Sequence, residues 1–188
     1  MIKSVLTLFY FLIFSQSSFT QNDFFDYGNL NDDKGYCFTT NEFNGFVLAG
    51  SVRGDNNDSE QISIVSIDST GNVIWEREYG SENHEIARHI ERTPDGGYAV
   101  YGTKWKGGYT ALDGYLLKIN RYGDFEWSKY IGSNFREEGF SMKPTSDNGY
   151  ILCGFSNANG YSDVYISKLD NLGNLLWDTI IPEVGKEI

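Results

Sequence analysis

The chain has 188 residues, 40% hydrophobic and 16% aromatic, with 21 glycines and only 3 prolines, a turn-rich globular composition sized for one domain. Its formal net charge of -11 argues against a nucleic-acid partner, which needs a basic face, and against docking on anionic lipid. The charge is compatible with cation binding or simply with staying soluble.

Lys3 precedes a short apolar segment, Val5 to Phe14, and then the small and polar run Ser15 to Thr20. This pattern reads as a secretory signal peptide over 1–20, cut near Thr20 and Gln21, and is too short to span a bilayer. No cysteine follows the apolar segment, so it carries no lipobox. The expected location is secreted or cell-surface, with no membrane insertion after signal removal.

The rest of the chain is repetitive, and self-similarity decides the fold. Tyr27-Gly28, Tyr79-Gly80 and Ile131-Gly132 recur every 52 residues. So do the runs Gly45 to Gly50, Gly97 to Gly102 and Gly149 to Gly154. A third marker is an aliphatic run, then Asp68, Gly71 and Trp75; it returns as Asn120, Gly123, Trp127 and as Asp170, Gly173, Trp177. The units run about 29–80, 81–132 and 133–182, and a fourth begins over 183–188.

Each unit reads as four strands. In the middle unit these are about 86–93, 97–104, 114–120 and 125–131. Asn44-Gly45, Asp95-Gly96-Gly97 and Asp147-Asn148-Gly149 are tight-turn signals between the first two strands. The next connections, Gly54–Glu60, Lys104–Asp113 and Ser156–Asp163, are polar and variable in length, as exposed loops are; Asp113 falls at the end of one. In the last hairpin the Asp or Asn side chain can accept backbone N–H bonds, and the glycine can take positive φ. Tryptophans at matched positions read as packing residues.

Val47-Leu48-Ala49 and Ile151-Leu152-Cys153 have no polar face, so their strands are expected to be covered on both sides. Four-stranded sheets of about 52 residues covered on both faces predict an all-β, β-propeller-like fold of three antiparallel blades. A sandwich would show alternation instead.

The run Asp95 to Gly102, with Asp113 to Asn120 and Gly123 to Trp127, resembles repeats of secreted bacterial propeller-like surface proteins, often exported by the type IX system. The resemblance covers about 23–188 and implies architecture, not activity. The turn is also similar to the sialidase Asp-box, with one extra residue before Gly71, and to the tryptophan-docking motif of quinoprotein-like propellers. In both, the turn is structural and lies away from the active site.

Propellers close with four to eight blades. Three units, a stop at Lys186-Glu187-Ile188 and a leading strand over Phe24 to Gly28 predict an incomplete ring. A partial sequence is the first explanation, and a ring assembled from several chains the second.

Candidate sites are few. Asp55 to Glu60 places oxygens at alternate positions, as calcium loops do, but lacks the sixth-position glycine and distal glutamate. Arg53-Gly54-Asp55 is a tripeptide common by chance. His84-Glu85 and His89 are one residue too far apart for a zinc-protease helix, and odd spacing on a strand separates them. Trp105 and Tyr109 could stack on sugars. Cys37 and Cys153 align to different strands and are expected to be two buried free thiols, not a disulfide or a zinc site. No catalytic residue, cofactor or metal ligand is expected. The leading expectation is an exported, non-enzymatic binding or display module for an unknown protein or glycan, with association through uncapped blade faces. The alternative is a fragment of a propeller enzyme, glycan-cleaving or quinoprotein-like.

Overall fold

The computed structural model describes residues 8–9, 25–26, 33–53, 59–80, 84–107 and 112–181. Leu8–Phe9 (β1) and Phe25–Asp26 (β2) pair antiparallel over two residues. The remaining described residues form three four-stranded antiparallel sheets, with no helix among them. The first is Asp33–Thr40 (β3), Phe46–Arg53 (β4), Glu60–Ile67 (β5) and Val73–Tyr79 (β6). The second is Glu85–Arg92 (β7), Tyr98–Trp105 (β8), Leu112–Ile119 (β9) and Phe125–Ile131 (β10). The third is Glu137–Pro144 (β11), Tyr150–Ser156 (β12), Asp163–Leu169 (β13) and Leu175–Ile181 (β14). Within each sheet, spatial order follows chain order, so every connection is a hairpin. The expected strands of the middle unit lie within two residues of those found.

The turns form for the reasons their residues imply. Asp68 Oδ1 accepts the N–H groups of Thr70 and Asn72 at 2.8 and 2.9 Å. Asn120 and Asp170 do the same for Tyr122 and Asp124, and for Leu172 and Asn174. Gly71, Gly123 and Gly173 have φ of 87°, 81° and 74°. Side-chain bonds from Asn72 and Thr70 hold the exposed Asp68 carboxyl well below the usual range. The first hairpin of each sheet uses the same geometry, with Asn44, Gly96 and Asn148 at positive φ.

The three first strands share an irregularity. Their ladders skip one residue, between Gly35 and Cys37, between Ala87 and His89, and between Gly139 and Ser141. Each skip is a β-bulge, which re-aims the extra residue. The bulge also explains the glycine closing the second marker. A β-carbon on Gly102 would stand 1.9 Å from the carbonyl oxygen of Ile86, and Gly50 and Gly154 are equally tight against Lys34 and Glu138.

Two cores lie between the sheets. Val47, Ala49, Ile62, Ile64 and Trp75 of the first sheet pack with Ala87, Ile90, Tyr98, Val100, Leu117 and Ile119 of the second. Ala99, Tyr101, Leu116 and Ile131 on the second sheet's other face pack with Met142, Tyr150, Leu152, Tyr165 and Leu169 of the third. The middle sheet is therefore covered on both faces, the arrangement expected from the apolar second strands of the first and third units.

The third sheet departs from that expectation. Ile151 is half-buried, and Cys153, Val164, Trp177 and Ile181 are exposed. Cys153 is thus not a buried thiol, because its face of β12 has no neighbouring sheet among the described residues. Cys37 is partly buried, and burial pushes its thiol up to about 12. Asp113 is a second correction. It lies in β9, not a loop, is 2% exposed, and pairs with Lys106.

Candidate functional site

The strands β3, β7 and β11 are each an edge of their own sheet. They also lie side by side, β3 against β7 and β7 against β11. An edge strand presents unpaired backbone, and a bulge is one way to blunt it. Here all three edges are blunted at the same level, so the three re-aimed residues, Tyr36, Arg88 and Phe140, stand in one row.

The row is a stack. The Arg88 guanidinium carbon lies 5.5 Å from the Tyr36 ring centre and 5.7 Å from that of Phe140. These are cation–π distances on both sides of one cation. Phe140 continues onto Phe155 of β12 at 5.8 Å, and the Arg136 guanidinium lies 5.7 Å from the Phe155 ring. Tyr36 is 39% and Phe140 43% exposed, while Arg88 is half-buried between them. Arg88 Nε is buried with no hydrogen-bond partner.

The residues after the bulges form a second row, Cys37, His89 and Ser141. Ser141 Oγ lies 3.3 Å from His89 Nδ1, and His89 Nε2 lies 3.1 Å from Glu91 Oε1. Lys143 Nζ donates to the same Glu91 oxygen. Partial burial works against ionisation of Glu91, but the bonds from Lys143 and His89 prevail and hold its carboxyl below the ordinary value. If His89 donates from Nε2 to Glu91, its Nδ1 is left to accept the Ser141 hydroxyl. Beyond this row, Arg92, Thr93, Pro94, Gly96 and Pro144 line a cleft of about 370 Å³.

The residues singled out from sequence are distributed as follows. Asp68, Gly71, Asn120, Gly123, Asp170 and Gly173 are turn residues, distant in role from the bulge row. Trp75 is buried, Trp127 is partly buried against the second core, and Trp177 is 49% exposed. His84 and His89 are not brought together. His84 Nδ1 accepts the Glu60 N–H at 3.3 Å, and its ring meets half-buried Trp105 at 6.4 Å. No group of three metal-binding side chains occurs among the described residues. Residues 54–58 and Tyr109, where calcium and sugar contacts were considered, lie outside the described residues, as do most of 1–32 and 182–188.

Sequence reading did not single out Tyr36, Arg88 and Phe140. The signal was present, since they stand 52 residues apart in the register that aligns Cys37 with His89. Compared with known protein families and with curated proteins, the chain matches none.

Proposed function

We propose that the chain is an exported, non-enzymatic module that binds a ligand through the wall formed by β3, β7 and β11. Its three sheets are read as consecutive blades of a propeller-like array forming part of a ring, with the first strand of each blade innermost. The observation that carries this reading is the Tyr36–Arg88–Phe140 row, two exposed rings and an uncommitted cation on a strand framework. The two rings are partly exposed beside the cation, and arginine and aromatic residues are enriched where binding energy concentrates. The export step rests on the leader pattern of residues 1–20 and on the resemblance to type IX-exported surface repeats.

The test is adsorption of the mature chain to bacterial or host surface polysaccharides and proteins, compared with a Tyr36→Ala/Phe140→Ala double variant. Retention of the native chain and loss for the variant supports the wall as the binding surface. Equal adsorption places binding elsewhere.

The second reading, a propeller enzyme fragment, is favoured by the Ser141–His89–Glu91 line, which has the connectivity of an activated hydroxyl. Labelling of Ser141 by a fluorophosphonate at a rate well above that of free serine would favour it. The absence of labelling favours the binding module, in which the same line only ties β7 to β11.

A further inference from the structure

We propose that the Tyr36–Arg88–Phe140 row is a site for a carboxylate-bearing sugar ring, a hexuronate residue within a glycan. The inference rests on the reading of this wall as a binding surface and names what it takes.

The first argument is the state of Arg88. Arg77 donates to the Glu76 carbonyl, Arg121 to the Glu42 carboxylate and Arg136 to the Glu138 carboxylate, and Arg92 lies 3.9 Å from Glu42. Arg88 has ring faces on either side and a buried Nε with no acceptor. A ligand carboxylate on the terminal nitrogens of the guanidinium would supply the charge-assisted partner that the two rings do not. The guanidinium fork matches a carboxylate in shape and charge, and stacking between two rings holds the fork in place beforehand.

The second argument is the pair of rings. An acidic peptide side chain would engage Arg88 and leave both exposed rings uncovered. A pyranose offers a carboxylate and an apolar C–H face in one rigid unit, so one residue of a glycan meets the cation while its neighbours cover the rings. The third argument is charge. On a chain of net charge -11, the single cation between the two rings suits an isolated carboxylate and not a dense polyanion. Sulfated glycans and nucleic acids are thereby disfavoured.

The experiment is titration of the mature chain at low salt with trigalacturonate, with its neutral galactose counterpart, and with acetate. The acidic trisaccharide is expected to bind about 10-fold tighter than the neutral one, the scale of a charge-assisted hydrogen-bonded pair. Arg88→Gln should abolish that preference, and Arg88→Lys should restore only part of it. Tyr36→Ala and Phe140→Ala should weaken both sugars, and the acidic one by at least as much, because the rings also hold the Arg88 fork. Circular dichroism confirms that each variant is folded. Equal binding of the acidic and neutral sugars, lost in Tyr36→Ala, overturns the uronate assignment and leaves the binding wall standing. Acetate binding as tightly as the acidic sugar overturns the sugar site in favour of a simple anion site. Binding of none of the three probes overturns the uronate assignment and leaves the wall to the polysaccharide and protein adsorption test above.

Discussion

Trp127 of the second sheet lies against Gly173 of the third, so closely that a β-carbon on that glycine would stand 2.7 Å from Cζ3 of the indole. The first sheet repeats the contact one unit earlier. A β-carbon on Gly123 would stand 2.9 Å from Cε3 and Cζ3 of Trp75. Each indole also meets a tyrosine of the next sheet, Trp75 with Tyr98 at 6.3 Å and Trp127 with Tyr150 at 6.1 Å. Tyr79 Oη donates to the Gly123 carbonyl beside it. The turn glycine thus has two functions, positive φ for its own hairpin and room for the preceding sheet's tryptophan.

The tryptophans should therefore differ in energetic weight. Trp75→Ala should cost roughly 3–5 kcal/mol, as large aromatic deletions in cores do. Trp127→Ala should cost somewhat less, and Trp177→Ala under about 1 kcal/mol, in line with surface substitutions. Denaturant midpoints order the three. Equal midpoints for Trp75→Ala and Trp177→Ala would refute the docking scheme.

The glycine side of the same contact can be isolated. Gly107 has φ of 93° and nothing within 4 Å of its β-position, whereas Gly123 has φ of 81° and the indole in the way. Gly→Ala at either position carries the conformational cost of positive φ, about 1 kcal/mol. Only Gly123→Ala adds a clash, so it should be the more destabilising by a further 1–3 kcal/mol, the usual scale of overpacking. Thermal melts of the two variants decide this.

Asp113 carries a pH prediction. Burial raises its carboxyl above the ordinary value, against the lowering effect of Lys106. A carboxyl raised in the folded state binds its proton more readily there than in the unfolded chain. Stability linked to this group therefore falls as pH rises through the carboxylate range and is recovered on acidification. Asp113→Asn removes the charge that burial disfavours and leaves Lys106 40% exposed to water, so it should be near neutral at pH 7. Its stability relative to the native chain should fall towards pH 4. A constant difference in melting temperature across that range would count against the assignment.

The two cysteines should react at different rates. Cys153 is exposed and should be modified quickly by a thiol reagent at pH 8. Cys37 is held protonated by burial, with its thiol up at about 12 against an ordinary 9.0, and should react only as the chain opens. Above about pH 9 the unfolded chain loses the Cys37 proton before the folded chain does, so this group lowers stability as pH rises further. Mass spectrometry after brief labelling should find one modified cysteine, and after denaturation two.

Much of this protein is local and therefore legible in its sequence. Strand runs, turn residues and their 52-residue recurrence depend on each segment's own φ/ψ preferences and side-chain alternation. That is why the all-β class, the four-stranded units and the hairpin turns at Gly71, Gly123 and Gly173 could be anticipated from the residues. What the sequence could not determine depends on which segments become neighbours. Trp177 matches Trp75 in every local respect, yet it is exposed, because burial is conferred by the next sheet. Asp113 looks like a loop acid until β9 is paired and Lys106 closes over it. The 52-residue register makes Tyr36, Arg88 and Phe140 equivalents of one another, but nothing in it singles them out. Their meeting as one row required three bulged edge strands to be laid side by side, and no periodicity within a single strand encodes that.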